Sequence, residues 1–147
     1  MITIKEATSK KDLKAFVQFP FKLYKDSKYW VPPIIKQELE TFNKDKNPIF
    51  NDAEARFFLA YKSGEIVGRI AAIINWLEVD KKGIKKMRFG WFDFIDDLEV
   101  SKALFETVEN IGRENKLSYT EGPVGFSNLD KVGVMTEGYD HLATMIT

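Results

Sequence analysis

The stretch from Arg88 to Glu106, RFGWFDFIDDLEVSKALFE, constrains the fold more than any other part of the chain. An aromatic run with strand character stops at Asp96 and Asp97, and a helical pattern begins at once. Over Leu98 to Asn115 the apolar residues Val100, Leu104, Phe105, Val108 and Ile111 share one face, and Gly112 lies near the end. The spacing predicts an amphipathic helix fed directly by a strand. Junctions of that kind hold phosphates in many enzymes, because the first amides of a helix have no intrahelical partner.

Two further segments read as strands meeting at a turn. ARFFLAY and IVGRIAAIIN flank KSGE, which places Gly64 in a hairpin turn, and VDKKGIKK turns the chain back into MRFGWFDFI. At the N-terminus ITIKEAT alternates as a half-buried strand does. Ser9 offers an N-cap, with Asp12 three residues on, for a helix carrying Leu13, Phe16 and Val17, with Phe21 and Tyr24 in the same spacing. Pro20 is expected to bend or end that helix. SKYWVPP reads as a loop, and PIIKQELETF as a helix with Ile34, Ile35, Leu39 and Phe42 on one side. LSYTEGPVGF is expected to be a further strand leaving through a Gly-Pro turn, and the remainder is irregular.

The order is strand, helix, helix, three meandering strands, helix, strand. It predicts an α/β fold with a mixed sheet flanked by helices, as one domain over residues 1–147. A 44% hydrophobic composition over 147 residues supplies a core and excludes general disorder. Lys+Arg and Asp+Glu both total 22, so nothing draws the chain electrostatically to nucleic acid or to an anionic membrane. The absence of cysteine removes disulfides, thiolate metal sites and cysteine nucleophiles. No apolar run approaches the ~20 residues that cross a bilayer, and a cytoplasmic protein is expected.

Taken together, FFLAYKSGEIVGRIAAIIN, the strand FGWFDFID and the long helix after it resemble the GCN5-related N-acetyltransferase (GNAT) superfamily. The IVG unit at Ile66, Val67 and Gly68 carries part of that likeness, and FPFKLYK, YWVPP and RFGWFDFIDD resemble a group of bacterial GNAT-like proteins. The resemblance covers about residues 2–126 and implies an acyl-CoA N-acyltransferase fold that lacks its last strands here. It implies acetyl-CoA or another acyl-CoA as co-substrate, no metal, and a small-molecule amine as acceptor. In such proteins the splayed end of the fourth strand offers backbone groups to pantetheine, which by position are those of Phe92, Asp93 and Phe94. The next helix start, usually opened by a glutamine or arginine and two spaced glycines, grips the pyrophosphate. Its counterpart is Ile95 to Val100, including Asp96 and Asp97.

Those glycines are missing. Asp96, Asp97 and Glu99 can cap the helix amides themselves, and they place negative charge where a diphosphate would sit. Two functions from different classes follow. One is an N-acyltransferase; the other is a GNAT-like binding or interaction module that has lost the pyrophosphate loop. For the first, Asp93 is a candidate base on the strand, and Glu121, before Gly122 and Pro123, is a second near the strand end. Each also has a structural reading: Asp93 as a hydrogen-bonded acid, Glu121 as a strand-end charge. Tyr29 and Trp30 could floor an acceptor pocket or plug the core. Arg69 suits a phosphate or a structural ion pair. His141, the only histidine, cannot make a metal cluster alone. The helix that carries a tyrosine general acid in the superfamily has no counterpart after Phe126, and Tyr139 is given no role. The chain is therefore expected to be an N-terminal piece of a longer protein. Closure of the sheet by a second copy, in a homodimer, is the alternative.

Overall fold

The computed structural model describes residues 1–142. Strand β1 (Ile2–Glu6) leads into helices α1 (Lys10–Leu23) and α2 (Ile35–Thr41). Strands β2 (Ala53–Lys62), β3 (Glu65–Asn75) and β4 (Lys86–Phe94) follow, then helix α3 (Leu98–Glu114) and the short strand β5 (Tyr119–Glu121). All five strands form one sheet in sequential order. β1 to β4 are antiparallel, and β5 lies parallel to β4. A parallel neighbour needs a crossover, and α3 supplies it.

The sheet is covered on both faces. Val100, Leu104, Val108 and Ile111 of α3 pack against Phe58, Ile70, Met87 and Phe89. On the other face Phe16 and Val17 of α1, with Phe42, pack against Phe57, Leu59, Ala71 and Ile73. That double coverage explains why β3 reads as an almost unbroken apolar run instead of an alternation. Close approach of α3 depends on Gly68. A Cβ there would lie 2.9 Å from the Val100 Cγ1 and 3.1 Å from the Phe94 Cβ, too near for an ordinary contact.

Three expectations need adjustment. Helix α1 does not end at Pro20 but continues to Leu23. Proline has no N–H to give the carbonyl four residues back, here that of Phe16. A side chain satisfies it instead: the Arg69 Nη1 donates to the Phe16 carbonyl at 2.9 Å. The last strand is shorter than LSYTEGPVGF suggests, because the chain pairs with β4 only over Tyr119–Glu121 and then turns at Gly122-Pro123. The connection between β3 and β4 opens with a π-helical turn, Leu77–Lys81. Among the described residues no strand follows β5; one isolated bridge joins Val124 and Val132. Among the described residues no helix is long and apolar enough to cross a membrane.

Candidate functional site

The site is built around a break in β4. Gly90 lies opposite Ala71 and Asp93 opposite Arg69, so β4 uses three residues where β3 uses two. The extra residue is a β-bulge, and Trp91 there has φ +45°, the left-handed region that a tryptophan seldom adopts. Bulges re-aim side chains. Trp91 joins the cluster on the α1–α2 side, whereas Phe92 and Phe94 join the α3 side.

The bulge also parts β4 from its neighbour. Pairing with β5 covers only Lys86, Met87 and Arg88, and the Val124 N–H then bonds the Phe89 carbonyl at 2.8 Å. Beyond that point the outer edge of β4 has no strand beside it among the described residues. On the inner side the Ile95 N–H bonds the Val67 carbonyl at 2.9 Å. Alternation along the strand therefore turns the N–H and C=O of Phe94 to the open side. The side chains of Phe92 and Phe94 are half-buried, with ring centroids 4.7 Å apart, and Phe92 stacks equally close to Phe105 of α3.

On the opposite face Asp93 is held at both oxygens. Arg69 Nε donates to Oδ2 at 2.8 Å, and Arg69 Nη2 lies 2.7 Å from the same oxygen. Tyr24 Oη donates to Oδ1 at 2.8 Å. Arg69 is buried and lies over the Phe16 ring, 5.0 Å from its centroid. Proline and arginine thus act together: Pro20 leaves the Phe16 carbonyl free, Arg69 takes it and grips Asp93, and Asp93 fixes Tyr24 at the end of α1. Trp30 packs against this wall, 5.4 Å from Tyr24 and 5.1 Å from Phe21.

Burial, then the neighbouring Asp93 charge, pushes the Tyr24 phenol well above its ordinary value. A raised folded-state value means full stabilisation below the unfolded phenol value near 10, and loss as pH rises beyond it. Stability is thus expected to decline more steeply above about pH 10 in the native chain than in Tyr24→Phe. Urea midpoints between neutral and alkaline pH check this; parallel curves would contradict it.

The α3 N-terminus is self-capped. Asp97 Oδ1 accepts from the Glu99 N–H at 2.9 Å, and its Oδ2 holds Lys62 Nζ at 2.7 Å. Those bonds, Lys62 first, hold the Asp97 carboxyl below its usual range. Asp96 is exposed, and Ile95 packs against the α3-side core. Glu121 is elsewhere on the sheet: its carboxylate takes Lys86 at 3.0 Å, beside the Arg88–Glu78 pair at 2.8 Å. Tyr139 and His141 are exposed and far along the irregular tail, with Tyr139 Oη donating to the Met135 carbonyl at 3.0 Å. Among the described residues no group of three or more His, Cys, Asp or Glu could hold a metal.

Sequence reasoning missed Glu38. From α2 it accepts the Trp91 Nε1–H at 2.9 Å, directly at the bulge. The isolated Gly90 inside an aromatic strand was the available signal, since such a glycine often marks a bulge.

No family model matches the chain. Among solved structures, a predicted acetyltransferase from Clostridium acetobutylicum with acetyl-CoA superposes with a TM-score of 0.58 at 15% identity, over 82% of this chain and 79% of that one. The chain has the GNAT fold. Two curated relatives share more sequence. Protein YghO of Escherichia coli is 36% identical over 132 residues, 90% of this chain and 34% of that protein. Bacterial ceramide synthase of Caulobacter vibrioides is 31% identical over 130 residues, 88% of this chain and 34% of that protein. The chain spans about a third of the length of these two relatives. At the start of α3 the Asp97 side chain caps the helix, and beyond Phe89 the outer edge of β4 has no strand beside it among the described residues.

Proposed function

We propose that this domain is part of an N-acyltransferase that moves an acetyl or longer acyl group from acyl-CoA to an amine. The observation that carries the proposal is the open edge of β4, where the backbone of Phe94 faces away from β3 and can pair with the amides of a pantetheine arm. Phe92 and Phe94 line one side of that opening, and Ile95, Asp96 and Asp97 begin the helix beyond it. Asp93, on the face opposite Phe92 and Phe94, is the candidate base named by the sequence, with Glu121 at the end of β5 as the second. The ceramide synthase relative supports amide formation: a ceramide is a fatty acid joined to the nitrogen of a long-chain amino alcohol. The aromatic group of Phe89, Phe92, Phe94 and Phe105 beside the edge suits an apolar acyl chain.

A second reading rests on the α3 cap. Asp97 already satisfies the Glu99 amide, and it presents charge that opposes a pyrophosphate. In that reading the domain binds a ligand or a partner without chemistry. Release of free CoA thiol from acetyl-CoA and palmitoyl-CoA, with a panel of primary amines, separates the two. Amine-dependent thiol release by the intact protein supports the transferase; none with any pair supports the binding module.

A further inference from the structure

We infer that Glu38 is the group that takes the proton from the acceptor amine. The inference rests on the acyltransferase reading and moves the role of base from Asp93 and Glu121 to Glu38.

Three carboxylates come into question near β4, and their surroundings differ. Both oxygens of Asp93 are engaged, one by the Arg69 guanidinium and one by the Tyr24 hydroxyl. Glu121 is paired with Lys86 across to β4 and lies at the level of Arg88, below the bulge. Glu38 is half-buried, and among the described residues the one hydrogen bond to its carboxylate comes from a neutral donor, the Trp91 indole N–H, to Oε2. Its Oε1 has no partner, and no Lys or Arg nitrogen lies within salt-bridge distance of it among those residues. Glu38 therefore leaves one carboxylate oxygen unengaged, whereas both oxygens of Asp93 are taken up by its partners.

Placement favours the same residue. Trp91 is the left-handed residue of the bulge, wedged between Phe42 and Phe126 at ring distances of 5.0 and 5.6 Å. Its fixed ring carries Glu38 to the strand position where β4 loses its neighbour. Strain in a non-glycine residue persists only where the surroundings enforce it, and it concentrates at sites that use the geometry.

The chemistry balances with the two substrates alone. Glu38 accepts a proton from the alkylammonium and leaves a free amine. The nitrogen lone pair forms a C–N bond to the thioester carbonyl carbon. The C–S bond breaks, and CoA leaves with the electron pair as a thiolate. The second proton released from nitrogen goes to that thiolate, and Glu38 returns its own to water.

Glu38→Gln keeps an oxygen for the Trp91 N–H while removing the charge, so unfolding curves should overlay those of the native chain. Thiol release is measured with octylamine, a long-chain 2-amino alcohol and hydroxylamine, which is uncharged at neutral pH and needs no deprotonation before it attacks. Loss of a general base lowers the rate about 100-fold or more. That loss is expected in kcat with the two alkylamines, while hydroxylamine stays within severalfold of the native rate. Glu38→Asp should recover part of the alkylamine rate, and it serves as the second variant if the glutamine form does not fold. Equal losses with all three amines, or native rates in Glu38→Gln, overturn the Glu38 assignment and leave the transferase standing. A native protein that releases no thiol with any amine overturns the transferase reading and this inference together.

Discussion

Replacing Arg69 by alanine is expected to lower the unfolding free energy by about 3–5 kcal/mol, the usual cost of stripping one partner from a buried charge pair. Three groups lose their partner at once. Asp93 keeps a charge with only the Tyr24 hydroxyl to support it, and the Phe16 carbonyl has no helix donor because position 20 is proline. The Phe16 ring also loses the guanidinium above it. The double variant Arg69→Met with Asp93→Asn should be less harmful than Arg69→Ala, since no uncompensated charge remains. Urea denaturation of the three proteins decides it. A loss below about 1 kcal/mol for Arg69→Ala would place the pair among exposed ones, and the account of how α1 passes Pro20 would fall with it.

Gly90→Ala is the second large effect. Its Cβ would meet the Val124 carbonyl oxygen at 2.3 Å and the carbonyl carbon at 3.0 Å. Both are backbone atoms, so no side-chain rotation relieves the clash. Either the bulge moves or the segment after β5 moves, and the second route breaks the Val124 N–H bond to Phe89. Overpacking of this kind costs about 1–3 kcal/mol, and the upper end is expected here because both colliding elements are pinned. Phe126 is the pin on one side, packed 5.3 Å from Phe50 and 5.6 Å from Trp91. Thermal or urea unfolding, together with indole fluorescence of Trp91 in a background carrying Trp30→Phe and Trp76→Phe, reports stability and local displacement. Native stability with an unchanged spectrum would mean that the chain after β5 does not lie against Gly90.

Much of the scaffold was legible in the residues because its signals are local. The helical spacing from Val100 to Ile111 needs no distant partner, and α3 runs over Leu98–Glu114. The self-capped start at IDDLEV was also readable, since capping acts across two or three residues, and Asp97 performs it. The site was less legible, because its bonds span long sequence distances. Asp93 meets Tyr24 across 69 residues, and Trp91 meets Glu38 across 53. Pro20 shows the limit well. Propensity alone bends or ends the helix there, and an arginine 49 positions later, on a strand of the sheet, takes the carbonyl that proline leaves free as the helix continues. The bulge was hidden for another reason: Phe89, Trp91, Phe92 and Phe94 put aromatic rings at both odd and even positions, so alternation is ambiguous and only Gly90 hints at the doubled step at Trp91.

The central claim is that the open edge of β4 receives an acyl-CoA. Calorimetric titration of the intact protein with acetyl-CoA, palmitoyl-CoA and free CoA tests it most directly. Saturable, micromolar binding is expected, tighter for the longer acyl chain that can reach the Phe89–Phe105 aromatic group. Absence of heat at millimolar ligand for all three compounds would contradict it.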